Sequence, residues 1–139
     1  MRFYLDTNIL AFLITDRRDE IDLNVGAIFD EYENTLLASH TAVCELIHLC
    51  QIGKILKGRK RLDAEAVLGW CDENSIRLVS TSVRHLETYA SLPMYGDHRD
   101  PTDRMIIAQA ISDRIPIVSS DGKFTRYEGC GLELVYNRR

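Results

Sequence analysis

The sequence predicts an α/β fold built on a five-stranded parallel sheet covered by helices on both faces. Five short apolar runs, Arg2 to Leu5, Thr35 to Ala38, Ile76 to Val79, Pro116 to Ser119 and Leu132 to Tyr136, are separated mainly by segments with helical spacing of their apolar residues. Two of these runs lead into Asp6 and Asp121, so strand ends deliver carboxylates to turns. The chain has 139 residues, 45% apolar and 27% charged, with 3 Pro and 8 Gly, which suits one domain over 1–139 with a single core and excludes disordered and low-complexity classes.

The first run stops at Asp6, and Asn8 to Ile14 follows as a helix. Asp19 or Asp22 caps a second amphipathic helix reaching about Glu33, before the strand at Thr35 to Ala38. Thr41 is the expected N-cap of a helix carrying Ala42, Val43, Leu46, Ile47 and Leu49, which Glu45 interrupts. Gly53 to Arg61 is a polar, basic loop, followed by a helix from about Asp63 to Glu73 and a strand from Ile76 to Val79. Thr81 or Ser82 starts a helix to about Ser91, and LPMYGDHRD is a loop by its Pro and Gly. Pro101 then suits the first position of the helix TDRMIIAQAISD, which leaves Asp103 in its first turn.

In an open α/β sheet, ligands bind beyond the carboxyl ends of the strands, where strand order reverses. Asp6 and Asp121 follow strands, while Glu45 and Asp103 sit on largely apolar helices that start toward the same edge. Gathered there, each like-charged pair about 5 Å apart repels by roughly 3 kcal/mol at an effective dielectric near 20. One or two Mg²⁺ or Mn²⁺ ions relieve that repulsion, activate water and stabilise the oxygens of a phosphodiester under in-line attack. Each acid also has a bland reading. Asp6 is then a helix N-terminal charge, Asp103 a residue favoured by the macrodipole, and Asp121 half of an Asp-Gly turn. Glu45 is harder to explain away, because no Lys or Arg lies three or four positions from it on its helix.

Four segments, LDTNILAFLI around Asp6, AVCELIHL around Glu45, DPTDRMIIAQA around Asp103 and IVSSDGKF around Asp121, resemble the four acidic motifs of PIN-domain nucleases in order and spacing. Within that family the resemblance is to VapC-like toxins of toxin-antitoxin pairs. It implies a three-layer α/β/α sandwich and an Mg²⁺- or Mn²⁺-dependent endoribonuclease that uses metal-activated water. Metal binding and catalysis would fall to Asp6, Glu45, Asp103 and Asp121, with Asp100 auxiliary. It also implies a homodimer and a cognate small antitoxin whose C-terminal segment covers the acidic groove. Thr102 and Ser119 depart from the usual aromatic and Thr, and neither removes a ligand. Ser119 keeps a hydroxyl able to bond a metal water or position Asp6, and Thr7 and Asn8 are further polar groups at that edge, with capping and turn bonding as their other reading.

Other functions fit less well. A phosphatase using Asp6 as nucleophile would want a second Asp two residues on, where Asn8 stands. A catalytically silent module binding RNA or protein is at odds with the presence of all four acids. The net charge of -4 gives no overall nucleic-acid signature, so local charge must supply one. Lys54, Lys57, Arg59, Lys60 and Arg61 form the dense basic run, an RNA-backbone patch or a solvated loop. Arg99 and Arg104 flank Asp103, placed for phosphate or for pairing with Asp97 or Asp100. Cys44, His48 and His40 lack the second thiol pair of a zinc site, so core packing is expected for Cys44 and a polar or capping role for His48. Cys44, Cys50, Cys71 and Cys130 read as reduced, mostly buried thiols. Trp70, Tyr89 and Tyr95 read as core or dimer contacts rather than base-stacking residues. The longest apolar run, Ile9 to Ile14, is far below the ~20 residues of a membrane span, and the opening MRFYLDTN lacks a signal-peptide core, which places the protein in the cytosol.

Overall fold

The computed structural model describes residues 1–138. Strand β1 (Arg2–Leu5) is followed by α1 (Thr7–Ile14), α2 (Leu23–Asp30), β2 (Thr35–Ser39) and α3 (His40–Gln51). A short hairpin of β3 (Leu56–Lys57) and β4 (Lys60–Arg61) precedes α4 (Ala64–Glu73), β5 (Ile76–Val79), α5 (Val83–Ser91), α6 (Pro101–Asp113), β6 (Ile117–Ser119) and β7 (Leu134–Tyr136). The main sheet has five parallel strands in the order β5-β2-β1-β6-β7, flanked by helices.

The chain winds outward from β1 to β2 and β5, then returns to the other side of β1 for β6 and β7, so strand order reverses between β1 and β6. There Tyr4 pairs with Ile117 and Leu5 with Val118, and the Asp6 backbone N–H donates to the Val118 carbonyl at 3.0 Å. This register places the residues after β1 and β6 side by side at the carboxyl edge, the location of ligand sites in doubly wound sheets. Leu5, Ile9, Leu10, Leu46, Ile107 and Ile117 are fully buried and anchor both strands and the helices around them.

Local chemistry fixes the helix starts. Asp22, not Asp19, caps α2 by accepting from Val25 N–H at 2.8 Å, and Asp19 lies in a 3₁₀ turn, Arg18–Glu20. The helix stops at Asp30, short of Glu33, where residues 31–34 turn toward β2. Ser39 caps α3 through Ala42 N–H at 3.1 Å, which replaces the expected Thr41 and starts the helix two residues earlier. Ser82 and His85 form a reciprocal capping box on α5. Asp100 accepts from Thr102 N–H at 2.9 Å, and Pro101 opens α6 as expected.

Two expectations needed correction in the loops. The basic stretch is ordered as the β3–β4 hairpin, and Gly122–Cys130 is a 3₁₀ helix capped by Asp121, which delays the last strand to Leu134. Neither short element has a strong periodic signature, since a two-residue strand and a 3₁₀ run follow neither helical nor strand spacing over a useful window. Among the described residues no helix is long and apolar enough to cross a membrane.

Candidate functional site

Asp6, Glu45, Asp100, Asp103 and Asp121 line one cavity of about 570 Å³ at the β1/β6 edge, together with Thr7 and Asn8. The five acids arrive on four supports. Asp6 and Asp121 follow β1 and β6, Glu45 projects from the middle of α3, and Asp100 and Asp103 occupy the start of α6.

Asp6 is buried and held on both oxygens: Thr7 N–H donates to Oδ1 at 2.8 Å, and the Ser119 hydroxyl donates to Oδ2 at 2.7 Å. Ser119 Oγ also accepts from Asp121 N–H at 3.0 Å, so one hydroxyl locks the ends of two neighbouring strands together. That is the positioning role open to Ser119 from sequence. The double engagement of Asp6 also leaves it poorly disposed to act as a nucleophile. Thr7 Oγ1 donates to the Ala42 carbonyl at 3.4 Å, and Asn8 Oδ1 accepts from Ser120 N–H at 3.3 Å, so both tie α1 to its neighbours while facing the cavity. Asp121 accepts from Lys123 N–H at 2.9 Å, which preserves its turn role beside its place in the cluster.

The crowding has an electrostatic signature. Burial pushes Asp6 up to about 6 against the opposing bonds from Ser119 and Thr7, with the charges of Glu45 and Asp121 adding to the rise. Burial likewise pushes Asp103 up to about 7, followed by the charges of Asp6, Asp100, Glu45 and Asp121. A set of hard carboxylate oxygens in which Asp6 and Asp103 resist ionisation suits a divalent cation. Within it, Glu45, Asp100 and Asp103 each offer an oxygen lying within 4.8 Å of the others.

We expect Ser119→Ala to move Asp6 further upward, because a hydrogen bond to a charged group is worth ~1.5–3 kcal/mol and each ~1.36 kcal/mol is one pH unit. Mn²⁺ affinity, read by calorimetry, should fall several-fold at pH 7 and recover by pH 9, and Ser119→Thr should behave like the parent. Equal affinity in Ser119→Ala at pH 7 would remove this role.

The basic residues sort differently from expectation. Arg104 is buried: its guanidinium stacks on the Tyr89 ring at 4.7 Å and donates to the Leu92 carbonyl at 3.2 Å, so it clamps α6 to the end of α5 and is withdrawn from the surface, away from the phosphate contact expected of it. Arg104→Ala should therefore cost about 2–4 kcal/mol of stability in urea titration through lost packing and an orphaned carbonyl. An unchanged urea midpoint with weakened RNA binding would restore the phosphate role. Asp97 pairs with Arg126, which holds its carboxyl down at about 2, and Arg99 is exposed. In the hairpin Lys57 pairs with Asp16 at 3.3 Å and Arg61 donates to the Gln51 carbonyl at 3.1 Å, while Arg59 and Lys60 are exposed near its tip.

Lys54 and Arg17 line the acidic cavity itself. Arg17, which no sequence signal singled out, reaches it because the chain turns back immediately after α1. His98, also missed, is buried with Nε2 3.5 Å from Asp103 Oδ2. It sits inside the loop segment already marked by GDHRD, adjacent in sequence to Arg99 and Asp100, and that adjacency was the available hint.

Elsewhere, Cys44 is exposed because Val43, Leu46 and Cys50 take the core-facing positions of α3, which overturns its expected core packing. His48 is exposed too, and Cys44, His40 and His48 form no metal-competent group among the described residues. Cys50 and Cys71 are buried and Cys130 partly so. Trp70, Tyr89 and Tyr95 pack against the core, Tyr95 edge-on to Tyr127 at 5.3 Å.

A doubly wound parallel sheet with an acidic cavity at its switch point defines an α/β protein of the carboxylate-site class. The chain belongs to the PIN domain family, whose pattern it matches over residues 3–129. No curated protein matches it. Its fold is similar to a chain in the crystal structure of VapBC2 from Rickettsia felis bound to a DNA fragment from their promoter, with 20% identity, 99% of each chain covered and a TM-score of 0.71. It is similar also to VapBC-5 of the VapBC family of toxin-antitoxin systems from Mycobacterium tuberculosis, with 16% identity, 97% and 98% coverage and a TM-score of 0.67. FitAcB from Neisseria gonorrhoeae aligns at 22% identity, 97% and 96% coverage and a TM-score of 0.63.

Proposed function

We propose that this chain is a metal-dependent endoribonuclease and the toxin of a VapBC-like pair, acting in the cytoplasm as one domain over residues 1–139. The observation that carries the reading is the convergence of Asp6, Glu45, Asp100, Asp103 and Asp121 on one cavity at the sheet's switch point. Similarity to structures of VapBC and FitAcB supports a partner protein, and the antitoxin is that partner in this reading.

Bound among these acids, Mg²⁺ or Mn²⁺ would supply Lewis-acid stabilisation of the phosphate and lower the pKa of the attacking water. The protein's own contribution is placement. Asp6, Glu45, Asp103 and Asp121 are the ligand set, with Asp100 auxiliary beside Glu45 and Asp103. Ser119 and Thr7 N–H fix the Asp6 carboxylate in one orientation, so the site is preorganised instead of assembling on substrate binding. Arg17 and Lys54 on the cavity wall, with Arg59, Lys60 and the exposed Arg99 further out, give the RNA backbone cationic contacts that offset the cluster's negative field. A homodimer is the assembly we propose.

The test combines cleavage and growth. Purified chain should cut structured RNA with Mg²⁺ or Mn²⁺ and not with EDTA, and its expression alone should arrest growth while Asp6→Asn does not. Cleavage undiminished by EDTA, or equal arrest by Asp6→Asn, would overturn the assignment.

A further inference from the structure

His98 lies in the loop between α5 and α6 and is only 4% exposed. Its ring meets Phe124 and Tyr127 edge-on, with centroids 6.1 and 5.4 Å away, and Nδ1 is 2.7 Å from the Tyr127 hydroxyl. The other nitrogen, Nε2, is buried without any hydrogen-bond partner among the described residues. It faces Asp103 Oδ2 at 3.5 Å, at the outer limit for a hydrogen bond. A buried polar atom left unpaired costs ~1–3 kcal/mol, so this placement calls for a partner that the described residues do not provide.

The surroundings say which. Nε2 and carboxylate oxygens of Asp103 and Asp121 all lie within 4.8 Å of one another. Two atoms bound to one cation at ~2.1 Å stand roughly 3.0–3.4 Å apart, so a 3.5 Å separation, long for a hydrogen bond, is close to the edge of a coordination polyhedron. Metal-binding imidazoles characteristically engage their second nitrogen with a polar neighbour that fixes tautomer and ring orientation, and the Tyr127 hydroxyl stands in that place.

We infer that His98 Nε2, with Asp103 and Asp121, forms a nitrogen-bearing cation subsite next to the all-oxygen trio of Glu45, Asp100 and Asp103. The two subsites share Asp103. The inference rests on the metal-dependent reading of the cavity and adds selectivity to it. An imidazole ligand favours Mn²⁺ and other transition ions, whereas Mg²⁺ prefers oxygen, so the His98 subsite takes Mn²⁺ ahead of Mg²⁺.

Pulsed electron paramagnetic resonance on the Mn²⁺-loaded full chain reads this directly, without reference to activity. The parent should show coupling to a coordinated ¹⁴N nucleus, and the coupling should change to that of ¹⁵N when the protein is grown on ¹⁵N-histidine. In His98→Gln the nitrogen coupling should vanish and Mn²⁺ affinity should fall about tenfold or more, while Mg²⁺ affinity changes less than twofold. Because the parent measurement needs no variant, misfolding of His98→Gln leaves the test intact. Mn²⁺ bound without nitrogen coupling, or coupling that persists in a folded His98→Gln, overturns the subsite and leaves the nuclease reading standing. Failure of the parent to bind Mn²⁺ at all overturns both.

Discussion

Asp103→Asn is expected to lower the proposed metal-dependent RNA cleavage by about 10²-fold or more, the loss that follows when several kcal/mol of charge stabilisation leaves a site of phosphodiester hydrolysis. Asp103 carries the largest expectation because it joins both metal-competent trios, one with Glu45 and Asp100, the other with His98 and Asp121. Asp6→Asn, Glu45→Gln and Asp121→Asn should fall in the same range. Folding is expected to survive and even improve without metal. Asp103 is pushed up to about 7 by burial and four neighbouring carboxylates, so removing its charge relieves strain in the folded state. Single-turnover cleavage together with urea midpoints in EDTA separates the two effects. A variant that cleaves at the parental rate with Mg²⁺ removes its residue from the site, and a metal-free variant much less stable than the parent would show that the acid holds the fold and not a cation.

Metal affinity should rise steeply with pH, on the order of 10²-fold between pH 5.5 and 8, since protons on Asp6 and Asp103 must leave before an ion binds. The window comes from the groups themselves, with Asp6 at about 6 and Asp103 at about 7. Stability without metal runs the opposite way. Both acids hold protons more tightly when folded than in the unfolded chain, where an Asp titrates near ~3.9. The folded state therefore binds more protons between roughly pH 4 and 7, and stability falls as pH rises through that range. Mn²⁺ should consequently raise the thermal midpoint little at pH 5 and strongly at pH 8. Thermal melts with Mn²⁺ and with EDTA across this range provide the check, and Asp103→Asn should show a shallower decline in EDTA. A pH-independent Mn²⁺ shift would mean that these carboxylates do not take the ion.

The sequence by itself determined the sheet and the four acidic motifs. Four runs of alternating or continuous apolar residues lie where β1, β2, β5 and β6 stand, because burying apolar surface on a parallel sheet leaves few other solutions. Asp6, Glu45, Asp103 and Asp121 were legible for a related reason: a carboxylate at a strand end or within an apolar helix is conspicuous against its neighbours. Helix boundaries were less legible. Thr41 was the expected cap of α3, and Ser39 takes that place because β2 ends on it.

Only the tertiary structure decided the rest. Arg104 and Arg99 look alike beside Asp103, yet one is stacked under Tyr89 and the other is exposed, since which way a helix-start residue points depends on α5 packing against α6. Arg17 comes to the cavity through a turn after α1, and Ser119 meets Asp6 across 113 positions of sequence through the pairing of β1 with β6. His98 is the sharpest case. A lone histidine in a polar loop carries no pattern, and its meaning arises from Phe124 and Tyr127 packing around it and from an unpaired nitrogen turned toward Asp103. Periodicity is a local property of the chain and survives in one dimension; the partner of a buried polar atom is set by long-range packing, which only the folded chain supplies.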